Sequence, residues 1–371
     1  MSKTVHYAEL ENVDVMSSDS DEDDTKRLKP SPSKRFTTRN WNGRRTVKWL
    51  CCAVVALIIM CAISMSGFTA YIMSRAQEYI EPGVILRIPV IGDWGTGTVQ
   101  QDLVARAMIN YCKVHTCGFV ISTGDNFYPD GLTSVNDTLF KSAYLDVYNR
   151  DSLDNKTWFG VLGNHDWHNG TAGAAVQYDE LRASYPQWIM QQNSVVTMDG
   201  LRNEPFILMV FVDGTQVVDN ILSGGNQTIL DDLVLRYRNI SSRTPHTILV
   251  VHQPIVSSFV RPNEPYHAQY NAVMSRFVTE MSVDVVLSGH DHVLQHLAGE
   301  NTHYVISGSG GKLMTDNLEL DQTTEHMKNE TFYTNGFAVL EFKTYTVSSF
   351  KNLYLTFIDS YGIELHREKL F

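Results

Sequence analysis

Cysteine is scarce, with five residues in 371, which excludes a small scaffold held together by disulfides. Positive charge is also thin: 30 Lys and Arg face 41 Asp and Glu, for a formal charge of −11. The first 48 residues are slightly basic, so the acidity lies in the rest of the chain, where no Lys/Arg stripe occurs. Such a surface does not neutralise phosphate backbones, and nucleic acid is set aside as a partner. No internal repeat is present, which excludes solenoids and propellers. Apolar residues are plentiful at 43%, with 19% charged, the balance of a globular chain.

Charge is absent altogether between Trp49 and Met73. As a helix this run reaches about 37 Å, enough to cross a hydrocarbon core of about 30 Å. Arg39, Arg44, Arg45 and Lys48 precede it, whereas Arg75 on the far side is balanced by Glu78 and Glu81. Positive charge favours the cytosolic face, so the run reads as a signal anchor with a cytosolic tail at 1–48 and a lumenal or extracellular body. The sequons at Asn136, Asn155, Asn169, Asn226, Asn239 and Asn329 all follow the run, as glycosylation of that body requires. The tail is poor in large apolar residues and reads as disordered. Its Tyr7-Ala8-Glu9-Leu10 has the form of a tyrosine-based sorting signal, and the acidic serine run Ser17–Asp24 could be phosphorylated. Cys51, Cys52 and Cys61 lie in or beside the span; Cys112 and Cys117 follow it, either as a local disulfide or as a free buried pair.

After a stalk at 74–83, the body at 84–371 shows short Val- and Ile-rich runs that each stop at a polar cluster. Val84–Ile91 ends at Gly92-Asp93-Trp94-Gly95, and Phe119–Ser122 runs into Gly124-Asp125-Asn126-Phe127-Tyr128. Thr157–Leu162 precedes Gly163-Asn164-His165-Asp166, Thr247–Val251 precedes His252, and Val283–Ser288 precedes Gly289-His290-Asp291-His292. These runs predict buried strands, and Val99–Cys112 and Ile229–Tyr237 have helical spacing between them. Strands at Gly336–Tyr345, Asn352–Ile358 and Gly362–His366 complete the C-terminal side. An α/β body gathers its ligands outside the carboxyl ends of its strands, where all five clusters lie. Taken singly, a Gly-Asp is a turn and an Asn-His a solvated loop. Together they supply two Asp, one Tyr, one Asn and three His. Carboxylate and phenolate suit a trivalent ion, imidazole and amide oxygen a divalent one, and one carboxylate can bridge the two.

In this order the clusters GDWG, GDNFY, GNHD, VVH and GHDH resemble the binuclear metallophosphoesterases. Tyr128, three residues after Asp125, marks the purple acid phosphatase variant. STGDNFYPDGL, LGNHD and SGHDHVLQHL are similar to its low-molecular-weight, tartrate-resistant branch over about Val84–Phe371. The resemblance implies a sandwich of two mixed β-sheets flanked by helices, preceded here by the transmembrane helix. It implies Fe(III) on Asp93, Asp125, Tyr128 and His292, with Asp125 bridging to Fe(II), Zn or Mn on Asn164, His252 and His290. Metal-bound hydroxide would attack phosphorus while His165 assists the leaving oxygen, with Asp166 orienting that imidazole. Asn126 is expected to support the ligands or touch substrate, and His267 and His296 are further candidates for substrate contact. Val251 and Gln253 flank His252 where the family usually has Gly and an aromatic residue, so the substrate-side contour departs from the pattern. The expectation is a type II membrane glycoprotein hydrolysing phosphate monoesters at acid pH, in an endosomal, lysosomal, secretory or extracellular setting. A phosphodiesterase or nucleotide pyrophosphatase, and a non-catalytic membrane receptor keeping the fold, are the rival readings.

Overall fold

The computed structural model describes residues 83–371 except 200–204, 261–264, 315–319, 322–323, 326 and 347–348. The tail, the apolar run at 49–73 and most of the stalk lie outside the described residues. Among the described residues no helix is long and apolar enough to cross a membrane.

Among the described residues, fourteen strands form two seven-stranded sheets. In the first sheet, β1 (Gly83–Ile91), β2 (Val120–Ser122), β3 (Trp158–Gly160) and β4 (Trp188–Met190) run parallel. On its other side β1 pairs antiparallel with β12 (Gly336–Thr346), followed by β13 (Ser349–Asp359) and β14 (Glu364–Lys369). The second sheet has a parallel core of β6 (Pro205–Phe211), β7 (His246–Val250), β8 (Val285–Ser288) and β10 (His303–Ser307). Antiparallel strands flank that core: β5 (Ser194–Asp199) on one side, β9 (Leu294–Ala298) and β11 (Lys328–Phe332) on the other.

The two-residue period of a strand sorts its side chains into layers. From β6, Ile207, Met209 and Phe211 enter the core between the sheets, where they meet Ile88, Val90, Ile121 and Phe159 of the first sheet. The alternate residues Leu208 and Val210 enter an outer core beneath the helices Gly214–Leu222, Thr228–Ser241 and His267–Glu280. On the opposite face Ile91, Trp158 and Trp188 pack under the helix Val99–His115. The layers are therefore helix, sheet, sheet, helix, as two sheets each apolar on both faces require. Thr98 caps the helix Val99–His115, accepting from the Gln101 amide at 3.4 Å. Cys112, in the last turn of that helix, is disulfide-bonded to Cys117 just past its end, with Cα atoms 5.0 Å apart.

The expected strands are present, with ends displaced by one to three residues: β7 starts one residue earlier than the sequence indicates, β8 two later, and β13 three earlier. Six more strands, β4, β5, β6, β9, β10 and β11, complete the sheets beyond that reading, as do the helices Gly214–Leu222 and His267–Glu280.

Candidate metal centre

The parallel strands of both sheets end at one place. Gly92 donates its amide across the gap to the Ser307 carbonyl at 2.7 Å, and Asp93 donates to Gly124 at 3.0 Å. These ties set the loop after β1 against the end of β10 and the loop after β2, while the His290 amide donates to Asp93 Oδ2 at 2.9 Å and the Gly289 amide to the His252 carbonyl at 3.0 Å, drawing in the loops after β8 and β7. Asp93 (φ 56°), Asp125 (φ 50°) and His290 (φ 67°) all sit in the left-handed region without being glycine. Each such position costs of order 1–3 kcal/mol, and strain of this kind gathers where side chains must be aimed. The adjoining glycines leave room for close approach: a Cβ on Gly163 would stand 2.1 Å from Asp125 Oδ1, and one on Gly289 would stand 2.5 Å from Asp93 Oδ2.

All seven predicted ligand residues converge here. The Tyr128 hydroxyl donates to Asp93 Oδ1 at 3.0 Å and to Asp125 Oδ2 at 2.8 Å, with His292 Nε2 3.5 Å away. His292 Nε2 is 3.4 Å from Asp93 Oδ1. On the other flank Asn164 Oδ1 lies 3.2 Å from His252 Nε2 and 3.0 Å from His290 Nδ1, and His252 Nε2 lies 3.4 Å from Asp125 Oδ1. Asp93, Asp125 and His252 form a buried floor, and Asn164, His290 and His292 form a partly exposed rim. Asp125 touches both groups, the place of a bridging carboxylate.

The donors fit a pair of cations. His252 Nδ1 donates to the Thr123 carbonyl at 2.9 Å, which turns Nε2 toward Asp125, Asn164 and His290 Nδ1 at 3.3 Å. Acceptor atoms thus crowd one point, and one proton or metal ion must stand among them. Burial alone would push the His252 imidazole down, but the Asp125 carboxylate overrides it and raises it to about 10. Burial likewise raises Asp125, yet His252 and then His165 hold it well below the usual carboxylate range. Burial, with Asp93 and Asp125 alongside, pushes the Tyr128 phenol well above its ordinary value. A cation among these groups would relieve all three at once.

His165 stands beside this floor. Its amide donates to Asp125 Oδ1 at 2.9 Å, its Nδ1 to the Pro129 carbonyl at 2.5 Å, and its ring lies 4.5 Å from that of Tyr128. Burial pushes the imidazole below its usual range, with Asp125 opposing.

Three expectations are corrected. Asp166 does not orient His165: it is fully buried, and its carboxylate accepts from the amides of Asn126, Phe127 and Gly163 and from Gln177 Nε2, at 2.9–3.1 Å. Asn126 cannot touch substrate, because it is fully buried: its Oδ1 accepts from Ser122 Oγ, and its Nδ2 donates to the Val161 carbonyl and to Gln177 Oε1. His296 is carried away from the site on β9, and its Nε2 lies 3.0 Å from His303 Nδ1. Burial, then His303, pushes His296 down to about 4. His267 starts the helix His267–Glu280 and lies 3.2 Å from Asn271 Nδ2.

Two features went unread in the sequence. Lys312 holds its ammonium 3.8 Å from the centre of the Tyr128 ring, on a loop whose Gly311 amide donates to the Asp93 carbonyl at 2.9 Å. The glycine-rich Gly308–Gly311 after β10 was the available signal. Asp291, between the two rim histidines, accepts from Ser257 Oγ at 2.5 Å, which steadies the turn they share.

This arrangement, two mixed sheets whose strand ends enclose paired carboxylates and histidines, is that of a phosphoesterase. A family model for calcineurin-like phosphoesterases matches residues 86–294, and the chain belongs to that family. Within it, the relatives are purple acid phosphatases. The chain is 30% identical to purple acid phosphatase 17 of Arabidopsis thaliana over 88% of this chain and 96% of that protein. It is 25% identical to tartrate-resistant acid phosphatase type 5 of Sus scrofa over 85% of this chain and 95% of that one. Among solved structures, GAP50, described as the anchor in the inner membrane complex of Plasmodium, shares the fold with a TM-score of 0.62 at 24% identity. The match covers 77% of this chain and 89% of that one.

Proposed function

We propose that this chain is a membrane-anchored acid phosphatase that hydrolyses phosphate monoesters at a binuclear centre. Asp93, Asp125, Tyr128 and His292 would hold Fe(III), and Asn164, His252 and His290, with Asp125, would hold a divalent Fe, Zn or Mn. The observation that carries the reading is the Tyr128 hydroxyl placed between the carboxylates of Asp93 and Asp125. When bound, the ions supply Lewis acidity to the phosphoryl oxygens and an activated water at acid pH.

The chain's own groups do the rest. The bond from His165 Nδ1 to Pro129 fixes the ring plane and leaves Nε2 to hold a proton toward the leaving oxygen. Because burial lowers that imidazole, the proton is present only on the acid side, where the activity is expected. Lys312 adds a positive charge at the rim, matched to an anionic ester. The Asp166 carboxylate ties the loop of Asp125 to that of Asn164.

The anchor at 49–73 rests on its lack of charge and its basic flank. Glycosylation of the body is supported by exposure of all six sequon asparagines. Sorting machinery that reads Tyr7–Leu10 would direct the protein to an endosomal or lysosomal membrane. The rival is a non-catalytic anchor on this fold, and the complete donor set favours the enzyme. The purified full chain should contain iron, show a tyrosinate-to-iron absorption band and turn over an aryl phosphate faster than a diester. Asp125→Ala should lose both band and turnover. A colourless, iron-free and inert wild-type protein would leave the anchor reading standing.

A further inference from the structure

A second group of donors lies between the sheets, away from the candidate centre. His296 follows Leu294 by two residues on β9, so both face the core between the sheets, where Leu294 is buried. On β14, His366 and Glu368 share a face with Leu370, which enters the same core. One histidine thus comes from the second sheet, and a histidine and a carboxylate come from the edge strand of the first.

The hydrogen bonds fix where the protons are. His303 Nε2 faces the Leu370 carbonyl at 3.0 Å, which can only accept, so this nitrogen carries the hydrogen. In the neutral ring, His303 Nδ1 is then an acceptor, and His296 Nε2 donates to it at 3.0 Å. The remaining nitrogen, His296 Nδ1, therefore carries a lone pair. It is buried without a hydrogen-bond partner on a side chain that is fully buried, and His366 Nε2 is likewise buried and unpartnered. Both point at a third acceptor: Glu368 Oε2 lies 3.6 Å from His296 Nδ1 and 3.4 Å from His366 Nε2. The three atoms all lie within 4.8 Å of one another.

The lone pair of His296 Nδ1 faces the Glu368 carboxylate, and a cation between them, with His366 Nε2 as its third donor, relieves that repulsion. Ligands of tetrahedral zinc, with bonds near 2.0–2.1 Å, are about 3.4 Å apart, which matches the two measured separations. We propose that His296 Nδ1, His366 Nε2 and Glu368 Oε2 form a binding site for a zinc-class divalent cation. The ion clips the C-terminal edge strand of one sheet to β9 of the other. Lys328, about half-exposed, reaches the same Glu368 oxygen at 2.6 Å and competes with the ion. Two neutral imidazoles and a carboxylate suit zinc, cobalt or nickel rather than calcium or magnesium.

The test uses the full chain carrying Asp125→Ala, which disables the candidate centre, stripped with chelator and titrated with Co²⁺. His366→Gln should remove one equivalent of bound cobalt, together with the rise in melting temperature that added zinc produces in its parent. Lys328→Met, which keeps all three ligands, should lower the half-saturating zinc concentration several-fold and carries the test if His366→Gln does not fold. Equal cobalt uptake with and without His366→Gln, or half-saturation unmoved by Lys328→Met, overturns the site. Neither result bears on the phosphatase reading, because the donors belong to separate places in the fold.

Discussion

Asp166→Asn separates two roles that adjacency in sequence confuses. The carboxylate takes the Asn126 and Gly163 amides on Oδ2, both at 2.9 Å, and the Phe127 amide and Gln177 Nε2 on Oδ1, at 3.1 and 3.0 Å. Asparagine is the same size but offers one oxygen: kept at Oδ2 it strands the Phe127 amide and Gln177 Nε2, and kept at Oδ1 it strands the Gly163 amide, since the Asn126 amide also reaches Oδ1 at 3.1 Å. Buried donors left unsatisfied cost about 1–3 kcal/mol each, giving roughly 1–6 kcal/mol in all. At about 2 °C per kcal/mol for a domain of this size, the melting temperature should fall by roughly 2–12 °C at pH 8. The deficit should narrow toward acid, since burial and then Asp125 push the wild-type carboxyl up to about 7. Below that pH the wild type also carries a proton facing those donors. Thermal unfolding of both proteins from pH 8 to pH 5, beside turnover of an aryl phosphate, decides the matter. A variant that melts with wild type yet loses turnover would refute the loop-tying role and return Asp166 to the chemistry.

Other expectations are more compact. Burial raises Asp213 to about 6, while the Tyr178 hydroxyl, the Gln216 amide and Trp167 Nε1 donate to it. The folded state therefore binds more protons than the unfolded chain between about pH 4 and 6, and this residue makes stability fall as pH rises through that window, by about 3 kcal/mol in total. Asp213→Asn should flatten that part of the pH–stability curve, and a curve that tracks wild type rejects the assignment. Gly163→Ala places a methyl 2.1 Å from Asp125 Oδ1 and 2.7 Å from His252 Cε1. Turnover should drop by about 10²-fold or more with partial loss of metal, and wild-type turnover in that variant would show that the loop has slack.

What the sequence made legible follows from physical range. Ligands at strand ends were readable because an apolar run, its glycine stop and the polar side chain are contiguous, as at Val84–Asp93 and Val283–His292. Helix and strand periods placed the helix Val99–His115 and strands β1–β3. Less was readable where partners are remote. Asp166 adjoins His165, but its hydrogen-bond partners at Asn126 lie 40 residues away and send no local signal. His296 follows the histidine motif closely, yet four residues of strand carry it about 13 Å onward, into the space between the sheets. Strand β6 is a continuous apolar run, Phe206–Phe211, with no polar stop carrying chemistry, so attention to function passed over it. The cysteine pair could not be decided from spacing, because bonding depends on the turn after the helix Val99–His115.

Asp93, Asp125 and Asn164 ride on one sheet, and His252, His290 and His292 on the other. The cage for the ions is therefore a joint, complete only while two slabs of the molecule keep their alignment to within a bond length. A slip of one slab past the other would open the cage long before either slab lost its internal ladder of hydrogen bonds. Colour and turnover should accordingly fade ahead of the far-ultraviolet signal when the protein is warmed, and a tightly held ion pair should in turn resist that slip.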